Sequence, residues 1–256
     1  MRIIDLSITL DNDTIADPPF MRPSIDYTSH AESEEQLESL FPGLAIGDLR
    51  GGTGWAVEKV TLSTHNGTHV DSPWHYHPTM NGGERAWGID EVPLHWFFRP
   101  GVKLDLRHLP DGYVVQPADI DAELSRIGHV LQPYDIVVAN TSAGSRLGSA
   151  DYVDAGCGFG RAATEHLIAA GVRVVGTDGW SWDAPFSATA RRFAESGDAS
   201  IIWEAHKAGM DAAYCQIEKL TALDSLPAFG FTIACFPAKV KGASGGWTRA
   251  VAILDD

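Results

Sequence analysis

Between His65 and His77 the chain carries four histidines and an aspartate, and all five stand at odd positions: His65, His69, Asp71, His75 and His77. In an extended segment successive side chains point to opposite faces, so residues two or four apart line one face. Read as strand-like, the segment projects four imidazoles and a carboxylate the same way. With ten histidines in 256 residues, chance does not crowd them so. A one-sided cluster of this kind is what a borderline cation such as Zn²⁺ or Mn²⁺ requires. Whatever the chain folds into must bring this segment to a place where a metal is held.

The cluster divides into roles. His65, His69 and Asp71 supply an N,N,O donor set within seven residues. Three ligands with an open position mark a catalytic site, whereas four closed ligands mark a structural one. Gly67 permits close backbone approach or unusual dihedrals between the first two imidazoles. Pro73 stiffens the chain past the aspartate and so bears on where His75 points. His77 has no obvious role left to fill.

Composition narrows the partners. At 44 % hydrophobic and 21 % charged residues, the chain has ordinary globular values rather than those of a disordered one. A net charge of −15 argues against nucleic acid and anionic membrane surfaces as partners. The first residues, Met1–Asp5, place an acid where a signal peptide has an apolar run, and no 18-residue apolar stretch follows. Cys157, Cys215 and Cys235 are odd in number and widely spaced, which suits buried thiols in a reducing compartment. A cytoplasmic location is expected.

No internal repeat or low-complexity linker divides the chain, so one domain over residues 1–256 is expected, with an N-terminal excursion around 17–54. Inside it, residues 30–41 are acidic with Leu37, Leu40 and Phe41 at helical spacing, a short surface helix. Residues 55–64 favour a strand feeding directly into the histidine cluster. Beyond residue 100, strands at 102–106, 135–139, 172–176, 214–218, 231–236 and 247–254 alternate with helices at 117–127 and 161–170 and a helical region around 188–209. Such alternation predicts an α/β fold with parallel pairing. The strands near both ends make a mixed, barrel-like sheet the better expectation.

The pattern H-x-G-T-H-x-D-x-P-x-H, here His65 to His75, resembles that of the cyclase superfamily of metal-dependent hydrolases, which includes bacterial kynurenine formamidases and isatin hydrolases. His206 and Glu218, twelve residues apart, match the formamidases' distal histidine and glutamate. Val174–Asp178 resembles a strand of the family, and Phe236–Val240 with Gly245–Ala252 resembles its closing strand pair. The resemblance implies a swivelling β/β/α fold. It also implies that His65 and His69 bind one metal and His206 a second, that Asp71 and Glu218 bridge the two, and that His75 is the general acid/base. Isatin hydrolases lack the glutamate and use one metal, so Glu218 points to the two-metal pattern.

A bound divalent cation lowers the pKa of water toward about 7 and polarises a carbonyl. His75, at an ordinary imidazole pKa of about 6.5, then protonates the leaving group. The expected activity is hydrolysis of a C–N bond in a small amide or cyclic amide, of arylformamidase or isatin hydrolase type. Lactone or ester hydrolysis by the same apparatus is the first alternative. A non-catalytic metal-binding protein is the second, and would need His75 or His77 to close the shell. A true cyclisation or dehydration enzyme is the third. There is no G-x-S-x-G elbow, and Gly51-Gly52-Thr53-Gly54 is not followed by Lys-Ser/Thr. Trp74, Tyr76, Trp180 and Trp182 beside the motifs are candidates for an aromatic pocket wall. The partners expected are a small aromatic or cyclic substrate and, by family analogy, a second or further copies in a homodimer or homotetramer.

Overall fold

The computed structural model describes residues 1–255, one residue short of the expected domain. In chain order the elements run β1 (Arg2–Asp5), β2 (Ser24–Thr28), α1 (Glu34–Leu40), β3 (Val57–Thr61), β4 (His69–Asp71), α2 (Pro73–Tyr76), β5 (Thr79–Met80) and β6 (Glu84–Arg85). The middle of the chain forms β7 (Phe98–Asp105), β8 (Val114–Val115), α3 (Pro117–Ile127), β9 (Ile136–Asn140), β10 (Gly158–Phe159), α4 (Arg161–Ala169) and β11 (Val174–Thr177). The remainder forms α5 (Phe186–Ser196), α6 (Glu204–Lys207), β12 (Cys215–Glu218), β13 (Phe231–Ala234), β14 (Gly245–Trp247) and β15 (Val251–Leu254).

Nine strands join in one mixed sheet, ordered β1-β15-β13-β7-β9-β11-β12-β4-β14, which curls into a half-barrel. Its centre, β7-β9-β11-β12, is parallel, and antiparallel strands flank it on both sides. The mixed α/β sheet expected from the sequence is the one that forms.

The two middle strands, β9 and β11, are buried along their whole length and almost wholly apolar because both faces are covered. Ile136, Val138, Val174, Cys215 and Ile217 enter one core with Val70 and Phe97. Val137, Ala139 and Val175 enter the other, against Ile120, Leu167, Ala205 and Trp182. α3 ends where the sequence predicts, with Pro117 in its first turn and Gly128 left-handed at φ +69° beyond its last.

Two expectations need correction. Residues 57–61 pair with β2 in a separate two-stranded ribbon and do not feed the main sheet. The final segment is two strands, β14 and β15, at different places in the sheet, with Thr248–Ala250 between them.

Candidate metal centre

Only the middle of the histidine cluster is a strand. β4 lies between β12 and β14, with His69 opposite Glu218 and Asp71 opposite Gln216. Period-two alternation sends Val70 into the core and puts His69, Asp71 and Glu218 on the face covered by α2 and α6. His65 precedes the strand, in a turn that Gly67 makes possible. Gly67 has φ +61°, and a Cβ there would lie 2.6 Å from Leu10 Cδ2. Pro73 opens α2, so His75 comes from a helical turn and not from a continued strand. A proline after Ser72 is a helix-start signal, and it overrides the period-two reading of all five residues. His77 is outside the group, with Nδ1 3.0 Å from Thr79 Oγ1.

Asp71 is the hub and is fully buried. Its Oδ1 lies 2.7 Å from His65 Nδ1 and 3.2 Å from His69 Nε2. Its Oδ2 lies 3.7 Å from His206 Nε2 and 4.0 Å from His75 Nε2. Glu218 Oε2 is 3.6 Å from His69 Nε2, and its Oε1 is 3.9 Å from His206 Nε2. The structure therefore brings His65, His69, Asp71, His75, His206 and Glu218 into one cluster, and leaves His77 out.

The tautomers follow from the partners. His69 Nδ1 faces the Gly67 carbonyl at 2.9 Å; a carbonyl only accepts, so Nδ1 carries the proton and Nε2 offers a lone pair. His206 Nδ1 donates to Asp183 Oδ2 at 2.5 Å, and Asp183 also accepts from the Ala205 and His206 backbone N–H groups. That carboxylate orients the ring from behind, as such groups do for histidine ligands. His65 uses both nitrogens, on Asp71 and on Ser244 Oγ at 2.8 Å.

His69 Nε2 and Asp71 Oδ2 are sealed from solvent and lack any hydrogen-bond partner. Native interiors rarely leave such atoms orphaned, and a cation between them satisfies both. Two overlapping donor groups, His65–Asp71–His75 and His69–Asp71–Glu218, each have ligand atoms within 4.8 Å of one another. The residues fit a divalent metal.

The electrostatics are those of a crowded, dry site. Burial raises the Asp71 carboxyl, but the surrounding imidazoles outweigh it and hold Asp71 well below the usual carboxylate range. Burial and the Asp71 charge push Glu218 up. His206 would be lowered by burial, yet Asp183 drives it up to about 10. His75 goes the other way: burial, and after it the neighbouring imidazoles, bring it down to about 3 despite Asp71. His75 is thus shifted below the ordinary imidazole value expected from the sequence, in the direction that favours the neutral ring.

A cavity of about 210 Å³ opens beside the cluster, lined by Met21, His75, Trp180, Phe186, Trp203 and Lys219 among others. Of the four aromatics proposed for its wall only Trp180 is there. Trp182 is wholly buried against Phe159, Tyr76 is core, and Trp74 is exposed. Trp203 takes their place, stacked on His206 at 4.6 Å with its backbone left-handed at φ +58°. A larger cleft of about 450 Å³ elsewhere, lined by Arg107, Asn140, Asp178 and Asp224, holds none of the predicted donors. Asp183 and Ser244 were missed because their partners are far away in sequence and no local spacing marks them; Trp203, three residues before His206, was missed because nothing in the sequence signals the left-handed backbone that accompanies its stacking on that ring.

Cyclase-like protein 3 of Arabidopsis thaliana is 26 % identical over 236 residues, covering 90 % of this chain and 78 % of that protein. Isatin hydrolase A from Ralstonia solanacearum superposes with a TM-score of 0.75 at 22 % identity, over 99 % of this chain and 92 % of the other. A structure described as a potential metal-dependent hydrolase with cyclase activity gives a TM-score of 0.67 at 18 % identity, over 100 % and 98 % of the two chains. At these identities the structural likeness is one of fold. A family model reaches further into the site, because it matches residues 4–184 and so takes in β4, α2 and Asp183; by that match the chain belongs to the Cyclase family.

Proposed function

We propose that the protein is a metal-dependent hydrolase that cleaves a C–N bond in a small amide or cyclic amide, of arylformamidase or isatin hydrolase type. The observation that carries this reading is the pair of orphaned buried atoms, His69 Nε2 and Asp71 Oδ2, beside the His75 imidazole and an aromatic-walled cavity. Zn²⁺ or Mn²⁺ suits the N,O donors. The holding residues are His65, His69, Asp71, His206 and Glu218, and two ions are expected because Asp71 and Glu218 each reach toward both His69 and His206.

When bound, the cation supplies acidified water and a polarised substrate carbonyl. The chain supplies the proton traffic and the enclosure. His75, which stands beside Asp71 and lines the cavity, accepts the proton of the attacking water and then returns it to the leaving nitrogen. Trp180, Phe186 and Trp203 offer apolar faces to a flat substrate and keep bulk water off the reacting carbonyl. Three buried thiols without a disulfide fit a cytoplasmic setting, and no helix among the described residues is long and apolar enough to cross a membrane.

Self-association belongs to the same reading. Every residue of β3 is exposed, Val57 and Val60 included, and so is Tyr27 on β2. A two-stranded ribbon is marginal without cover, which supports a homodimer or homotetramer; light scattering on the eluting protein reads the mass. The activity is tested with metal-loaded protein on N-formyl-kynurenine, isatin, cyclic imides and lactones. Turnover of an amide or imide, abolished by a chelator and restored by Mn²⁺ or Zn²⁺, is expected. Turnover of lactones alone would move the chain to the ester-cleaving alternative.

A further inference from the structure

Asp17, the first residue of the N-terminal excursion, is 2 % exposed. Its Oδ1 accepts from Lys219 Nζ at 2.5 Å and from Trp180 Nε1 at 3.1 Å, and its Oδ2 accepts from Asn66 Nδ2 at 2.8 Å. Each donor adjoins the centre: Lys219 follows Glu218, Asn66 follows His65, and Trp180 walls the cavity. Lys219 Nζ donates a second time, to the His65 carbonyl at 2.7 Å. Asn66 Nδ2 also donates to the Met21 carbonyl at 2.6 Å, and Asn66 Oδ1 accepts from the Ser63 N–H at 2.6 Å.

The Asp17–Lys219 pair is sealed, with both side chains 1 % exposed. Two charges out of water are costly, and removing one partner leaves the other buried without compensation, so the two are held to each other. Lys219 also has a left-handed backbone at φ +59°, which a side chain of this length tolerates only where its surroundings hold it. Its N–H donates to the Gly179 carbonyl and its own carbonyl accepts from Thr68 Oγ1. One carboxylate thus ties four segments: the start of the excursion, the His65 turn, the Trp180 wall and the end of β12.

We propose that Asp17 is a positioning residue of the metal centre, holding the backbone of His65 in place through Lys219 and Asn66. The proposal rests on the reading of the centre given above. The ligand field at His65 is then set by a residue 48 positions upstream in a segment that contributes no donor. The excursion is part of the site and not an appendage to it.

The test separates positioning from packing. Mn²⁺ is titrated into chelator-stripped, full-length protein by calorimetry, and the thermal midpoint is read alongside. Asp17→Asn leaves Lys219 buried without its counter-charge, so the midpoint falls and Mn²⁺ affinity drops at least about tenfold, the range seen when groups supporting metal ligands are removed. The double variant Asp17→Asn/Lys219→Met removes both charges and is expected to recover the midpoint. It does not recover Mn²⁺ affinity, because methionine donates nothing to the His65 carbonyl. A double variant with a restored midpoint and Mn²⁺ affinity within twofold of wild type would overturn the proposal. Should that variant not fold, near-isosteric Asp17→Asn decides alone, and affinity within twofold of wild type again overturns it. Wild-type protein that binds neither Mn²⁺ nor Zn²⁺ would overturn the reading of the centre, and the proposal with it.

Discussion

Glu218 stands directly across the β4–β12 pair from His69, with its Oε2 3.6 Å from the imidazole Nε2. Its other oxygen accepts the Trp182 N–H at 3.1 Å and lies 3.9 Å from His206 Nε2. The carboxylate is therefore placed between two imidazoles that come from different elements. That is the position of a bridging group, and it makes metal count the sharpest question at this site. Metal-replete protein is expected to contain two ions per chain by elemental analysis. Glu218→Gln is expected to weaken uptake of both. A replete crystal with one fully occupied ion and His206 turned away would return the chain to a single-metal pattern.

His69 offers a nitrogen that nothing else satisfies. His69→Ala should remove most bound metal and abolish turnover. Full stoichiometry in that variant would show that the donor set has been misassigned.

His75 is read as the proton carrier, yet its ring also lies in a donor group with His65 and Asp71. The two roles separate experimentally. As proton carrier it is dispensable for binding, so His75→Ala should keep its metal and lose about 10²- to 10⁴-fold in rate. Loss of metal together with rate would make it a ligand.

Asp178 provides a pH prediction away from the centre. Its carboxyl is buried and pushed up to about 7, although it accepts from the Thr141 N–H and hydroxyl. A raised folded pKa means that the proton is held more tightly folded than unfolded. The resulting stability is fully present below about pH 4 and is lost as pH rises through about 7. Asp178→Asn does not titrate, so its stability relative to wild type should climb between pH 4 and pH 7 and then level off. The climb should be on the order of 4 kcal/mol, read from urea midpoints at several pH values. A flat difference would mean that Asp178 is ionised throughout.

Trp182 tests the second core. Its ring lies 3.7 Å from that of Phe159, nearly parallel, and its Nε1 donates to Thr164 Oγ1 at 3.1 Å. Trp182→Ala should cost about 3–5 kcal/mol of stability by equilibrium unfolding.

The parts legible in the sequence are those whose cause is local. α3 carries its proline and its glycine at its ends, and β9 and β11 are apolar because both of their faces are covered. The His65–His75 spacing points to the donors, but not to their carriers, since β4 stops at Asp71 and Pro73 starts a helix. Asp17, Asp183 and Trp203 were not legible. Asp17 and Asp183 act through contacts that exist only in the assembled fold, and an aspartate's wish for a donor 202 residues away leaves no period to read. The depressed pKa of His75 belongs to the same group, because burial among other imidazoles is a property of the assembled site.

Both neighbours of β4 are strands that occur more than 140 residues later, β12 at Cys215–Glu218 and β14 at Gly245–Trp247. During synthesis, therefore, this segment emerges from the ribosome long before either mate exists. An apolar strand left waiting with open edges would recruit other chains. The waiting strand here is His-Val-Asp, which is short and can carry charge, with proline two residues on. The residues that would hold the metal are thus also poor adhesives for a nascent chain, and the segment stays safely wet until the last fifth of the protein arrives to enclose it.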